Sequence, residues 1–223
     1  MFCYTGGFSF YAMRGGAKLV HSVDSSAKAI DLTNKNVELN FPGDARHEAF
    51  AEDAFKYLDR MGDQYDLIIL DPPAFAKHKD ALRNALQGYR KLNAKAFEKI
   101  KPGGILFTFS CSQVVTKDNF RTAVFTAAAM SGRSVRILHQ LTQPADHPVN
   151  IYHPEGEYLK GLVKKCTEGE IRLFADGGEL LADPTAFDLI LLDISLNREQ
   201  NAAEPDGMET ARKIRERSDA LII

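Results

Sequence analysis

The sequence predicts an α/β fold, a largely parallel sheet covered by helices, and two observations carry that expectation. Short apolar runs alternate with amphipathic stretches along most of the chain. The breaks between them hold residues that end helices or turn the chain, as in Asn40-Phe41-Pro42 and Pro102-Gly103-Gly104. The runs expected to be strands are LVHSVD (19–24), EAFAED (48–53), YDLIILD (65–71), GILFTFS (104–110) and VRILHQL (135–141). Helices are expected over 9–14, 27–39, 54–61, 80–100 and 117–131; Ser25-Ser26 opens the second, where a hydroxyl can cap free N–H groups. Met1 to Tyr4 read as the last residues of a further strand, normally central in a doubly wound sheet, of which the sequence carries only the end.

A chain of 223 residues with 44% hydrophobic content can bury a sizeable core, enough for one full α/β domain and part of another. No apolar run approaches the roughly 20 residues of a membrane-spanning helix. The opening MFCYTGGFSF lacks the basic start and apolar run of a signal peptide, so a cytoplasmic protein without a membrane partner is expected. Cys3, Cys111 and Cys166 show neither metal-ligand spacing nor a dense disulfide framework. The net charge of −2 conceals an asymmetry: 13 acidic and 6 basic residues follow position 166, leaving 17 acidic and 22 basic before it. A mildly basic body suits a polyanionic partner such as RNA, and equally a solvated mixed surface. The same two readings apply to the basic run between Lys77 and Lys95. The change of character sets a domain boundary near 166, with 167–223 a short α/β extension holding a strand at 187–195 and a helix at 208–217.

Five strand-end turns collect the residues that can do chemistry. Tyr4-Thr5-Gly6-Gly7-Phe8 precedes a helical stretch, and its two glycines let backbone approach a ligand closely, although an ordinary tight turn has the same composition. Asp24 ends the next strand about 20 residues on, where a carboxylate can accept hydrogen bonds from both hydroxyls of a ribose. Asp53 ends the following strand, placed either to meet an adenine amino group or to cap a helix. Asp71-Pro72-Pro73-Ala74-Phe75 comes directly after a buried strand, and its prolines remove backbone donors and stiffen the turn. Cys111, in Phe109-Ser110-Cys111-Ser112, falls at the same sheet edge as Gly6, Asp24 and Asp71. A lone cysteine is usually buried and inert, but that position suits a thiolate nucleophile. His21 and His139 sit in strand patterns and read as packed or surface residues.

Taken in order, YTGGF, SVDSS, EDAF, LDPPAF, GYRKLN, GGILFTFSCS and ADHPV…PEGEYLKG resemble the bacterial large-subunit ribosomal RNA cytosine-5 methyltransferases of the RlmI type, over residues 1–163. The resemblance implies a Rossmann-like class I methyltransferase sheet and S-adenosyl-L-methionine as cofactor, with large-subunit rRNA as partner. It implies that Tyr4, Thr5, Gly6, Gly7, Phe8, Asp24 and Ser25 hold the methionine and ribose parts, that Asp53 lies by the adenine, and that Asp71 contacts the target base, with Pro72, Pro73 and Phe75 beside it. It also implies that Cys111 is the covalent nucleophile. A cytosine C5 is too weak a nucleophile to take a methyl group directly; a thiolate added at C6 makes C5 enamine-like, and sulfur can later leave. Asp71 could hydrogen-bond the N3 edge and stabilise charge as the adduct forms. Two rivals remain: an N-methyltransferase that grips an exocyclic amine with Asp71-Pro72-Pro73, and a non-catalytic fusion.

Members of that family carry an amino-terminal RNA-binding region of the PUA type and a linking domain that have no counterpart in these 223 residues. The tail after Cys166 resembles part of a response-regulator receiver domain, with Asp193 of FDLILLDISL at the phosphoacceptor position, but it lacks the acidic pair and the later hydroxyl and lysine that a receiver needs. A passenger segment is the plainer expectation.

Overall fold

The computed structural model describes residues 1–167, 174, 177–184, 189–190, 207–216, 218 and 221–222. The chain divides into two compact units, Met1–Ile171 and Arg172–Ile223. The first contains, in order, α1 (Gly7–Arg14), β1 (Val20–Asp24), α2 (Ala27–Asn40), β2 (His47–Ala51), α3 (Ala54–Arg60), β3 (Leu67–Leu70), α4 (Leu82–Lys99), β4 (Ile105–Ser110), α5 (Lys117–Ser131), β5 (Ser134–Leu141) and β6 (Lys160–Thr167). A short 3-10 turn, Lys79–Ala81, leads into α4.

Three helix starts have a side-chain cap. The Ser26 hydroxyl accepts from the Ala29 N–H and opens α2, Thr116 does the same for α5 through the Asn119 N–H, and the Asp53 carboxylate accepts from the Phe55 and Lys56 N–H groups at α3. That cap also explains why β2 ends at Ala51, two residues before the expected end: Glu52 and Asp53 turn the chain into α3. In α4, Ala85, Tyr89, Leu92, Asn93, Ala96 and Phe97 recur at helical spacing and are buried. They meet Ile68, Leu70 and Leu106 of the sheet and Phe120 and Val124 of α5 in one core.

The sheet is mixed. β1 pairs with β2 and β3 with β4 in parallel, as expected from helical crossovers, whereas β6 inserts between β4 and β5 and runs antiparallel to both. The order is therefore β2-β1 in one ladder and β3-β4-β6-β5 in the other. Residues 1–3 lie between the two: the Met1 ammonium donates to the Ile69 carbonyl at 2.6 Å and the Cys3 N–H to the Val23 carbonyl at 3.1 Å. The sequence pattern does not mark β6 as a strand, because Lys160, Lys164 and Lys165 interrupt it. The first two are buried. Lys160 Nζ donates to the Ser112 and Val115 carbonyls, and Lys164 Nζ donates to Asn93 Oδ1 at 3.1 Å and sits 4.6 Å from the centre of the Phe97 ring.

In the second unit the described elements are α6 (Gly177–Ala182), β7 (Leu189–Ile190), α7 (Gly207–Arg215) and β8 (Leu221–Ile222), with β7 and β8 paired in parallel. Asp193 lies outside the described residues. Among the described residues no helix is long and apolar enough to cross a membrane.

Burial of Lys164 has a measurable consequence. Desolvation pulls its pKa from 10.5 down to about 7. Between those values the unfolded chain binds more protons than the folded one, so folding stability rises with pH across that window. We expect Lys164→Met, which keeps the apolar stem and removes the charge, to flatten this rise and to stabilise the fold at pH 7 by an amount on the order of 2–4 kcal/mol. Urea midpoints of both proteins at pH 7, 8 and 9 measure it, and parallel curves would count against a buried charge.

Candidate functional site

The carboxy-terminal ends of β1, β3 and β4 open on a cleft of about 650 Å³, a volume suited to a nucleotide-sized ligand. Tyr4, Asp24, Ser25, Asp71, Pro72, Pro73 and Cys111 line one part of it, and Pro144, Asp146, His147, Tyr158 and Leu159 line another. The first group comes from four turns that the sequence places at one edge. The second belongs to the segment that joins β5 to β6.

The turn after residue 3 is held in a conformation that few sequences tolerate. Tyr4 has φ +48° and Gly6 φ +89°. A Cβ at Gly6 would meet Thr33 Cγ2 at 2.8 Å, so the position needs glycine for space as well as for backbone freedom. Helix α2 fixes the turn from below: the Thr33 hydroxyl donates to the Tyr4 carbonyl at 2.9 Å and Asn36 Nδ2 to the Thr5 carbonyl at 3.2 Å. Asp24 fixes it from the side, because its Oδ2 accepts from the Tyr4 N–H at 3.0 Å while Oδ1 accepts from the Ser26 N–H at 2.9 Å. An ionised carboxylate has about four acceptor positions. Each Asp24 oxygen therefore keeps capacity for one further donor.

Cys111 and the Asp71-Pro72-Pro73 turn meet directly. The thiol donates to the Pro72 carbonyl at 3.8 Å, the Ser112 hydroxyl donates to the Ala76 carbonyl at 2.5 Å, and the Ser110 hydroxyl donates to the Tyr89 hydroxyl at 2.9 Å. Burial, and next the neighbouring Asp71 charge, push the Cys111 thiol above its usual 9, with Lys160 pulling in the opposite direction. Burial also raises the Asp71 carboxyl. The resting site thus holds a protonated thiol beside a carboxyl group whose charge it disfavours.

Other residues singled out in the sequence lie apart from the cleft lining. Gly7 opens α1, Phe8 stacks on Phe109 with ring centres 6.1 Å apart, and Thr5 is engaged through its carbonyl. Asp53 spends Oδ1 on the cap of α3. Phe75 packs on Tyr89, ring centres 4.6 Å apart, and on Gly88, where a Cβ would meet its ring at 2.9 Å. His21 bridges the Tyr57 and Tyr65 hydroxyls through Nδ1 and is a packing residue; His139 is exposed. Sequence reasoning did not bring Asp146 and Tyr158 into the site. The only signal was the ADHP…EYLK string, because a loop without periodicity carries no information about which residues face the cleft.

A family of S-adenosylmethionine-dependent methyltransferases matches residues 1–157. The large-subunit ribosomal RNA methyltransferase I of Aeromonas hydrophila is 46% identical over 168 residues, which is 74% of this chain and 42% of the relative. The protein of the same name from Cronobacter sakazakii is 45% identical over 163 residues, 72% of this chain and 41% of the relative. This chain thus spans about two fifths of the length of the curated relatives it matches. Among solved structures, a candidate methyltransferase complexed with SAH superimposes with a TM-score of 0.63 at 27% identity, over 74% of this chain and 43% of the other. The mixed sheet, the glycine turn braced by Asp24 and the match over residues 1–157 agree, and the chain belongs to the S-adenosylmethionine-dependent methyltransferase family.

Proposed function

We propose that this chain forms the catalytic part of a methyltransferase that modifies C5 of a cytosine in large-subunit ribosomal RNA through a covalent adduct at Cys111. The observation that carries the reading is the contact of the Cys111 thiol with the Pro72 carbonyl, in a cleft that Tyr4 and Asp24 also line. A nucleophile facing the donor pocket serves no purpose in direct transfer to an amine, which already has the lone pair it needs. The names of the Aeromonas and Cronobacter relatives supply the substrate class.

The residues present fit the cofactor. The free acceptor positions of Asp24 suit a ribose diol, and the Tyr4 ring, 73% exposed, offers an apolar face at the cleft. Bound there, S-adenosylmethionine supplies an electrophilic methyl group on a sulfonium sulfur. The chain does the rest. Asp71, its carboxyl raised by burial, hydrogen-bonds the N3 edge of the cytosine and offsets charge as sulfur adds to C6. Pro72 and Pro73 keep that turn rigid, and the Pro72 carbonyl orients the thiol.

Three outcomes are expected. Cys111→Ala should lower methylation of unmodified large-subunit rRNA by at least about 10³-fold, measured by transfer of a tritiated methyl group; near-normal turnover would favour the N-methyltransferase rival. Because the thiol titrates above 9, log kcat/KM should rise with pH between 7 and 9, and a flat profile would mean that thiolate formation does not limit the reaction. Asp24→Ala should weaken S-adenosylmethionine binding on the order of 10- to 100-fold by calorimetric titration. Wild-type protein that gives no saturable heat would support the non-catalytic rival.

A further inference from the structure

The proposed chemistry leaves one task without a residue. After C5 has gained its methyl group it still carries a hydrogen, and the adduct cannot collapse until a base removes that proton. We propose that His147, braced by Tyr158, is that base; the assignment rests on the cytosine-C5 reading above.

The cleft narrows the choice. Its lining holds three carboxylates, one thiol, two phenols and one imidazole able to exchange a proton; Tyr4 belongs to the glycine turn on Asp24, and the Tyr158 hydroxyl is engaged with His147. Cys111 is bonded to C6 at this stage. Asp24 already accepts two backbone N–H groups at the glycine turn, and Asp71 shares the Pro72 turn beneath the nucleophile. Asp146 and His147 remain, on the segment between β5 and β6 that lines the cleft together with Cys111. Of these two, only His147 has its side chain fixed by a described hydrogen bond: Nε2 lies 2.8 Å from the Tyr158 hydroxyl, with the two rings edge to face at 83°. With Nε2–H donating to that hydroxyl, the Nδ1 lone pair is left as an acceptor, and among the described residues no hydrogen bond involves Nδ1.

The segment itself is tied down. The His147 N–H donates to the Pro144 carbonyl at 3.0 Å, and Gln143 Oε1 accepts from the Tyr158 N–H at 2.9 Å. Gln113, two residues beyond the nucleophile, donates through Nε2 to the Glu155 carbonyl at 3.0 Å, and Lys117 pairs with Glu157. The base-bearing segment and the Cys111 turn are thus linked to each other, which keeps the imidazole and the sulfur in a common frame.

The step balances as follows. Nδ1 of His147 takes the C5 proton, the C–H electron pair becomes the C5=C6 double bond, and the C6–S bond breaks with its pair returning to Cys111 as thiolate. The imidazolium then loses its proton to solvent. The products are 5-methylcytosine and free enzyme.

Removal of the base should stall the reaction at the methylated adduct. The full chain and its His147→Gln, Asp146→Asn and Cys111→Ala variants are incubated with transcribed, unmodified large-subunit rRNA and tritiated S-adenosylmethionine, then separated on denaturing gels. We expect His147→Gln to accumulate a protein–RNA band that carries tritium, at least 10-fold above wild type, with free 5-methylcytosine reduced to the same degree; Cys111→Ala should give no such band. A His147→Gln protein that releases product at the wild-type rate without a band would overturn the assignment, as would loss of both band and product, which would make the loop an RNA-binding element. Accumulation in Asp146→Asn alone would move the role to that carboxylate. If wild type yields a methylated base other than 5-methylcytosine, or no methylated base, the C5 reading itself fails, an outcome separate from the other three.

Discussion

A buried ammonium group decides where the Cys111 turn sits. Lys160 Nζ donates to the carbonyls of Ser112 and Val115, the two ends of the turn that follows β4, and so holds the backbone next to Cys111 against β6. The Ser112 carbonyl also accepts from the Val115 N–H at 3.3 Å, and a buried carbonyl left without any donor would cost about 1–3 kcal/mol. The same turn is stitched to the chain after β3 by the Ser112 hydroxyl and the Cys111 thiol. Four hydrogen bonds thus turn two separate strand ends into one wall of the cleft.

This arrangement depends on the antiparallel strand. Only a strand that runs back along β4 can present Lys160 at the level of Ser110, the residue with which it is paired, and so reach the turn beyond it. Four residues further along, Lys164 performs a related task deeper in the core, where Asn93 and the face of Phe97 offset part of its desolvation. Burial lowers both lysines from their ordinary range, so β6 exchanges some stability for the placement of the turn.

Those two lysines also mark where the sequence stops being readable. Strands β1, β3 and β4 and helices α2, α4 and α5 follow directly from apolar period and capping residues, since Ser26, Thr116 and the buried stripe of α4 each act locally. The carboxy-terminal edge, with Asp24, Asp71 and Cys111, was legible for the same reason: strand ends are set by local pattern. By contrast, β6 reads as polar because its partners, Asn93 and the carbonyls of Ser112 and Val115, are distant in sequence. Asp53 and Phe75 show a related limit. A carboxylate before a helix and an aromatic after a proline turn each have two uses, and the choice is made by neighbours, here the free N–H groups of α3 and the ring of Tyr89.

Residues 1–3 lie between the two ladders and meet both, the Cys3 N–H at the Val23 carbonyl and the Met1 nitrogen at the Ile69 carbonyl. Behind the Asp24 and Cys111 sides of the cleft, the packing includes side chains that do not line it, notably His21 where it bridges Tyr57 and Tyr65, and the contact of α3 with α4. Substitutions in that aromatic cluster would alter the width of the cleft without touching a single group that lines it.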